Sequence, residues 1–250
     1  MTRPRIAKSD PDLSVRSILE RLSTMARPDI VEYNSRVGLG EAKSLGIPTP
    51  QLKKLSAEIR KTVHDRHALA LDLWSTGGYD ARAIAFMIDD PRRVTEDQME
   101  TWVRDFDNWG TVDGTCCYLF CRTPFAYQKA FEWAERQPEF EKRAAFSLMA
   151  YLAVHDKKAA NETLAEFLPV IERHSDDDRN FVKKAVNWAL RQIGKRNITL
   201  NQLAIETARR IQSQGSRSAR WIAADALREL ESPAVKTRLA AKEERKRTHG

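Results

Sequence analysis

The sequence is poor in cysteine, and the few cysteines lie too close together for a disulfide framework. Among its 250 residues only Cys116, Cys117 and Cys121 are cysteines, an odd number inside one six-residue window. Secreted domains that depend on disulfides carry even numbers of cysteines spread along the chain. We therefore expect a protein of the reducing cytosol.

Long apolar runs are absent as well. No segment approaches the roughly 18 to 20 apolar residues that a membrane span requires, and the N-terminal sequence "MTRPRIAKSDPD" lacks the apolar core of a signal peptide. We expect a cytoplasmic protein that is neither exported nor anchored in a membrane.

Patterns typical of metal or cofactor sites are missing too. The cysteines have no second cluster, and His64 and His67 have no carboxylates at a useful spacing. Thiols on an apolar helix face belong more often to a core than to a metal site. No pattern of a nucleophilic cysteine or serine enzyme is present either. We therefore expect neither a metal nor a cofactor.

Alternating β-branched residues, the pattern of a half-buried strand, form no convincing run, whereas helical patterns recur along the chain. Segments rich in Ala, Leu, Glu, Lys and Arg carry apolar residues at spacings of three and four. We predict an all-α protein. Its helices are predicted over about 12–24, 50–62, 65–75, 79–88, 95–106, 109–121, 125–136, 139–153, 158–173, 178–194, 199–213 and 217–230.

The predicted helices form pairs with short connections, and the pairs recur roughly every 30 to 45 residues. This arrangement is typical of a curved solenoid of the HEAT or armadillo kind, with a concave binding surface. A plain helical bundle is the alternative, because the repeats show no literal self-identity. We predict one HEAT-like α-solenoid domain over 12–232. A disordered or extended N-terminus over 1–11 precedes it, and a basic, mixed-charge tail over 233–250, helical or frayed, follows it.

Positive charge exceeds negative charge, with 42 Lys and Arg against 35 Asp and Glu and a net charge of +7. This balance suits a polyanionic partner, because each phosphate that Lys or Arg neutralises releases counterions. It suits equally a protein whose positive faces are only solvated. Composition alone does not choose between the two.

The segment "KKAVNWALRQIGKR" places its largest apolar side chain among cations. On a helix, Leu190 and its apolar neighbours share one side, which predicts a core face. The opposite side is a basic stripe formed by Lys184, Trp188, Arg191 and Lys195. Trp188 can rest there against a sugar or a base while the cations meet phosphates. The alternative is that Trp188 packs under a loop and the cations only keep the surface soluble.

The segment "FDNWGTVDG" contains a carboxylate in an apolar stripe. Trp109 and Asp113 are four residues apart and share a helical face, which Cys116 and Phe120 are expected to continue. A carboxylate there is unfavourable unless it is hydrogen-bonded, coordinated or open to a cleft. Asp113 is therefore a candidate catalytic residue. The alternative is that it caps a helix that the two glycines of the segment interrupt.

In a third segment, "EKRAAFSLMAYLAVHD", Arg143 precedes a strongly apolar helix. An arginine near the first turn of a helix is usually exposed to solvent. Position alone therefore gives Arg143 no function.

Together these segments resemble the AlkD-like DNA alkylation repair glycosylases. The resemblance rests on "NWGTVDG" with its W-x-x-x-D pair, on "KRAAF", on the long run "RNFVKKAVNWALRQIGKRN" and on "LGIPTPQLKKLSAEI", and it covers about residues 15–230. It implies a HEAT-like solenoid that holds duplex DNA on a basic concave face. It also implies hydrolytic removal of purines alkylated at the 3 or 7 nitrogen, without extrusion of the damaged base into a pocket.

The resemblance implies a role for each matching residue. Asp113 would act near the sugar together with Trp109, Trp188 and Arg143, and the cations of the basic stripe would bind DNA. Tyr33 is a further candidate DNA contact, although its segment "RPDIVEYNSRVGLGEAKS" follows the family's aromatic-rich segment only loosely. We expect a monomer in the cytoplasm, associated with the nucleoid when it is bound to DNA.

The chemistry fits these residue types. A purine alkylated at those nitrogens carries a positive charge, so it is already a good leaving group and needs little acid catalysis. As the bond breaks, positive charge develops on the deoxyribose. An ionised Asp113 can stabilise this charge electrostatically, or it can orient the attacking water. The rival interpretation is a non-catalytic HEAT-like scaffold that binds DNA structures or proteins and does not require an ionisable Asp113.

Overall fold

The computed structural model describes residues 13–39 and 43–249, and within them every regular element is a helix. The predicted all-α fold is therefore confirmed. The contacts divide the chain into two compact units, Met1–Arg93 and Val94–Gly250. The N-terminus over 1–11, predicted to be disordered or extended, lies outside the described residues, and the single domain over 12–232 stays a prediction. No helix in the described ranges is long and apolar enough to cross a membrane.

The first unit is built from five α-helices within the part of the chain that the structure describes. A single π-helical turn, Ser35–Leu39, follows the second of them. Ser14 begins the unit's first helix by accepting a hydrogen bond from the amide of Ser17 at 3.3 Å, which satisfies one of the free amides of the helix start. The helices are α1 Val15–Thr24, α2 Pro28–Asn34, α3 Thr49–Thr62, α4 Arg66–Ser75 and α5 Tyr79–Ile88.

The second unit contains the remaining helices and all the segments that carried a chemical signal except that of Tyr33. A 3₁₀ turn, Phe120–Arg122, links the second and third of its helices. The helices are α6 Glu96–Arg104, α7 Trp109–Tyr118, α8 Ala126–Ala134, α9 Glu139–His155, α10 Asn161–Ala165, α11 Phe167–Arg173, α12 Asn180–Gly194, α13 Ile198–Ser213, α14 Arg217–Leu230 and α15 Pro233–His249. The tail after residue 232 is thus helical as far as His249.

Two local predictions about helices are wrong. The helix α2 was not predicted. It has only seven residues and none of them is buried, so its sequence does not show the apolar periodicity of a helix that packs on a core. The predicted helix over 158–173 is two helices, α10 and α11, which meet at Glu166. Pro169 explains the break, since proline has no amide hydrogen to bond the carbonyl of Ala165 and its ring crowds that carbonyl.

The helix α12 has the two faces that its sequence predicts. Val182, Val186, Ala189, Leu190 and Ile193 are fully buried, whereas Trp188 on the other side is only half-buried. The core face packs against α9, α13 and α14. At its end, a Cβ on Gly194 would lie 2.7 Å from a methyl group of Leu230 and 2.9 Å from the Cβ of Ala204, so the close approach of α13 and α14 favours glycine there.

The two faces of α12 lead to opposite expectations for mutation. We expect Leu190→Asp to reduce the free energy of unfolding by more than about 4 kcal/mol, because the new charge has no partner in the core. We expect Trp188→Ala to reduce it by only about 1 to 2 kcal/mol, because this ring is partly in water already. Urea unfolding followed by circular dichroism measures both values. An equal loss in the two variants would contradict the assignment of the faces.

Candidate active site

The start of α7 is fixed by a buried asparagine. The Asn108 side-chain oxygen accepts a hydrogen bond from the amide of Thr111 at 2.9 Å, and its side-chain nitrogen donates to the Thr111 hydroxyl at 2.9 Å. The cap therefore is Asn108, and the helix continues through both glycines of the segment. The alternative interpretation of Asp113 as a cap is wrong. Asp113 lies in the middle of α7, one turn after Trp109.

Asp113 is held by three hydrogen bonds from α9. Arg143 donates from Nε to Oδ1 at 3.1 Å and from a terminal nitrogen to Oδ2 at 2.7 Å, while the Ser147 hydroxyl donates to Oδ1 at 2.8 Å. The paired geometry matches the fork of a guanidinium to a carboxylate. The bonds explain how a carboxylate is tolerated on this apolar face, and they hold its two oxygens in fixed positions.

Arg143 is buried, contrary to the expectation from its position near a helix start. Its side chain is only 8% exposed, against 18% for that of Asp113. A second terminal nitrogen donates to the backbone carbonyl of Phe181 at 2.7 Å, so the guanidinium links α7 and α9 to the first turn of α12. Since the carboxylate is the more exposed partner, the negative end of the ion pair lies nearer the solvent.

Two residues of α9 belong to this site although the sequence did not identify them. Ser147 and Tyr151 follow Arg143 at intervals of four, so the three share one face of α9. Burial raises the pKa of the Tyr151 hydroxyl, and the neighbouring Cys117 and Asp113 raise it further. Tyr151 is therefore protonated and neutral at neutral pH. The four-residue spacing of these polar side chains could have indicated a shared face. It was not recognised because most of the other residues of α9 are apolar and buried.

Tyr151 also packs against Trp188. The rings of Tyr151 and Trp188 meet edge to face, with centroids 4.9 Å apart and planes at 88°. Trp188 is thus packed against a neighbour on one side and remains partly accessible. Trp109 is half-exposed as well and lies on the same face of α7 as Asp113. The four predicted catalytic residues therefore come from α7, α9 and α12 of one unit.

The cations of the basic stripe are not alike. Lys184 is exposed, whereas the Arg191 guanidinium lies 2.7 Å from Glu229, and the Lys195 ammonium lies 2.7 Å from the same carboxylate. Although burial alone would raise the pKa of Glu229, the bond from Lys195 and the charge of Arg191 hold that pKa below its usual value. Part of the positive charge of the basic stripe is therefore neutralised by Glu229 of α14. The contact of the basic stripe with DNA stays a prediction.

The expected continuation of the Trp109 and Asp113 face is wrong. Cys116 and Phe120 are fully buried, because the core side of α7 includes Cys116 and the helix ends before Phe120. Cys117 continues the face instead, and its sulfur lies 4.0 Å from Nε2 of His155. Burial and the charges of Arg122 and Lys157 lower the pKa of His155, so this ring is neutral at neutral pH.

Tyr33 lies in α2 of the first unit and is 63% exposed, and its role as a DNA contact stays a prediction. His67, for which no carboxylate partner was predicted, contacts Asp89 with 2.7 Å between Nδ1 and Oδ1. Within residues 13–39 and 43–249, no group of three or more His, Cys, Asp or Glu side chains is placed to hold a metal ion.

Comparison with known proteins gives one family and one fold. The model of the family described as "DNA alkylation repair enzyme" matches residues 18–230. A solved structure described as "A new family of proteins related to the HEAT-like repeat DNA glycosylases with affinity for branched DNA structures" is similar to this chain with a TM-score of 0.70 and 19% identity. The likeness covers 79% of this chain and 83% of that one. It shows a shared HEAT-like repeat fold. No curated protein matches this chain.

The ion pair between Asp113 and Arg143 is expected to appear as a coupling in a double-mutant cycle. Arg143→Leu and Asp113→Asn should each lower the free energy of unfolding by about 3 kcal/mol, because each leaves the other group with an unmatched charge. The double variant should lose less stability than the sum of the losses in the two single variants. The difference, the coupling free energy, should be about 2 to 3 kcal/mol when it is measured by urea unfolding at pH 7.

The control is the exposed pair of Arg209 and Glu231, whose side chains are 64% and 40% exposed. The cycle of Arg209→Leu and Glu231→Gln should give a coupling below about 0.5 kcal/mol. A coupling for Asp113 and Arg143 as small as that of the control would show that the pair is not formed in solution.

Proposed function

The chain belongs to the DNA alkylation repair enzyme family, whose model matches most of its length, and on that basis we propose that it is a monofunctional DNA glycosylase. Its substrates are cationic alkylated purines, 3-alkyladenine and 7-alkylguanine, in double-stranded DNA. It hydrolyses their N-glycosidic bond without drawing the base into a pocket. It acts as a monomer in the cytoplasm, associated with the nucleoid when it is bound to DNA.

The observation that carries this proposal is the fixed, partly exposed carboxylate of Asp113. A carboxylate can accept about four hydrogen bonds, and Arg143 and Ser147 supply three. The remaining acceptor position can take a hydrogen bond from a water molecule, and the charge of the carboxylate can act on the sugar without a hydrogen bond. Since the carboxylate is preorganised, it does not have to rearrange as charge develops in the transition state.

The leaving group determines what the protein has to supply. A purine alkylated at N3 or N7 leaves as a neutral base, so its departure requires no proton. Positive charge builds up instead on the deoxyribose, and Asp113 is the anion to which we assign its stabilisation. Its partner Arg143 weakens this effect, but it is the less exposed member of the pair and so lies further from the developing charge.

The two tryptophans complete the proposed site. The electron-rich faces of Trp109 and Trp188 can attract the sugar as it becomes positively charged, as in a cation–π interaction. They can therefore stabilise the same sugar and exclude bulk water from it, while Tyr151 holds the Trp188 ring in place. Lys184, Arg191 and Lys195 would then meet the phosphates on either side. To do so, Arg191 and Lys195 would weaken their ion pairs with Glu229 and form ion pairs with the phosphates of the DNA backbone.

A second candidate function is supported by the structural comparison. The similar solved structure belongs to proteins with affinity for branched DNA structures, so the same fold can serve a scaffold that binds DNA junctions. In that case the ion pair of Asp113 and Arg143 would only join α7 to α9. The candidates differ in one requirement, because only the glycosylase depends on the charge of Asp113 in the reaction.

Asp113→Asn tests that requirement. We expect single-turnover release of 7-methylguanine from duplex DNA to slow about a hundred- to thousand-fold, the equivalent of about 3 to 4 kcal/mol of transition-state stabilisation. Duplex binding should persist or improve, because a carboxylate near phosphates opposes binding in the ground state. Excision is measured as free base by chromatography, and binding by fluorescence anisotropy.

Loss of stability has to be separated from loss of charge. Leu200→Ala changes a fully buried residue of α13 and should destabilise the protein by about 2 to 5 kcal/mol. At a temperature where both variants remain folded by circular dichroism, Leu200→Ala should excise at the wild-type rate. If Asp113→Asn also excises at that rate, the aspartate is not catalytic. If the wild-type protein releases no alkylated base, the scaffold is the better interpretation.

A further inference from the structure

A row of side chains on α14 lies against the cations of α12. Trp221, Asp225 and Glu229 follow one another at intervals of four, so they share one face of α14. The ammonium of Lys183 lies over the Trp221 ring, 5.4 Å from its centroid, and both carboxylates contact Arg191. This face of α14 is therefore matched to the cations of α12.

The α14 carboxylates, Asp225 and Glu229, already pair with most of the basic stripe. The Arg191 guanidinium lies 3.3 Å from Asp225 and 2.7 Å from Glu229. The Lys195 ammonium lies 2.7 Å from Glu229, whereas Lys184 is exposed. Two of the three cations of the stripe are thus held by carboxylates of the protein itself.

The contacts of Arg191 differ from those of Arg143. Arg143 bonds its carboxylate through two nitrogens and is only 8% exposed. Arg191 is 28% exposed, and the same terminal nitrogen makes its closest approach to both carboxylates. Within the part of the chain that the structure describes, its Nε is buried without a hydrogen-bond partner. A guanidinium that uses so few of its five donors loses little when it changes partner.

Asp225, in contrast, is held independently of Arg191. The side-chain nitrogen of Asn187 donates to its Oδ2 at 2.7 Å, and Arg228 pairs with its Oδ1. Asn187 is only 1% exposed, so it fixes the carboxylate from the core side of the contact between α12 and α14. Asp225 therefore stays beside the basic stripe whether or not Arg191 contacts it.

A duplex that contacts the basic stripe has to replace these carboxylates. Phosphate and carboxylate oxygens are the same kind of charged acceptor for Arg and Lys, so the two anions compete for one cation. We propose that the α14 carboxylates limit the affinity of α12 for duplex DNA, because they compete with its phosphates for the paired cations of the basic stripe. This rests on the proposed function in that it requires the basic stripe to face duplex DNA.

The consequence concerns DNA without a lesion. Phosphates are alike along a duplex, so contacts with them hold the protein at undamaged positions as firmly as at damaged ones. When those contacts are weakened, retention depends more on Asp113 and the two tryptophans, which act only at the damaged nucleotide. The face of α14 is then an element that disfavours the wrong partner, undamaged DNA.

Neutral variants of the two carboxylates test the proposal. In Asp225→Asn, Glu229→Gln, an undamaged duplex should bind about five- to twentyfold more tightly at low salt, because the freed cations meet phosphates without a competing anion. The slope of log K against log salt should steepen by about 0.9 for each phosphate that is then neutralised. Fluorescence anisotropy measures affinity for the full chain, once circular dichroism shows that the variant is folded. If the double variant does not fold, Glu229→Gln alone should shift both values in the same direction.

Two controls isolate the competition. Glu206→Gln, Glu231→Gln changes the net charge equally, but Glu206 is exposed on α13 and Glu231 pairs with Arg209. Its affinity should rise less than about twofold, because distant charges are screened by salt. The second control repeats the changes to the α14 carboxylates in an Arg191→Gln, Lys195→Gln background. There the gain in affinity should be no larger than in the first control.

The two proposals fail separately, since this binding is measured on undamaged DNA. A wild-type protein that excises no base, together with tighter binding by the carboxylate variant, would refute the glycosylase but not the competition. Excision of 7-methylguanine by the wild type, together with equal affinities and slopes in the carboxylate and control variants, would refute the competition but not the glycosylase. A gain that persists without the two cations would also refute it, because the carboxylates would then repel the DNA directly.

Discussion

The ion pair between Asp113 and Arg143 is the interaction on which the candidate site depends. It joins α7 to α9, and through the carbonyl of Phe181 it reaches α12, so the three helices that carry the site are held by one guanidinium. Removing either partner would leave a poorly solvated charge, which is unfavourable by several kcal/mol. The same interaction that stabilises the helices therefore also holds the carboxylate in place, and stability and proposed function cannot be altered independently at Asp113.

The central helix α9 shows how one element can serve both the core and the site. Most of its side chains are buried, yet Arg143, Ser147 and Tyr151 recur at intervals of four along the edge that faces α7 and α12. Arg143 and Ser147 both donate to Asp113, and Tyr151 packs against Trp188. A small change in the position of α9 would thus displace both the carboxylate and the tryptophan ring.

Helix periodicity was enough to predict the all-α fold and the two faces of α12, because burial at Leu190 and exposure at Trp188 follow from position on one helix. It could not predict contacts between helices. Glu229 is 38 residues from Arg191, so nothing local to the basic stripe indicates that this charge is paired. Arg143 was likewise expected to be exposed, since the sequence near a helix start does not show that α12 covers it. Its candidate role was inferred from family resemblance rather than from the local pattern.

The central claim is that the site stabilises a developing cation and supplies no proton to the base. The most direct measurement compares single-turnover release of two purines from otherwise identical duplexes: 7-methylguanine, which is cationic in DNA, and hypoxanthine, which is neutral and leaves readily only when protonated. Free base is detected by chromatography, and abasic sites by alkaline strand cleavage. The account predicts release of 7-methylguanine and no detectable release of hypoxanthine. Comparable release of both bases would require a general acid and would contradict it.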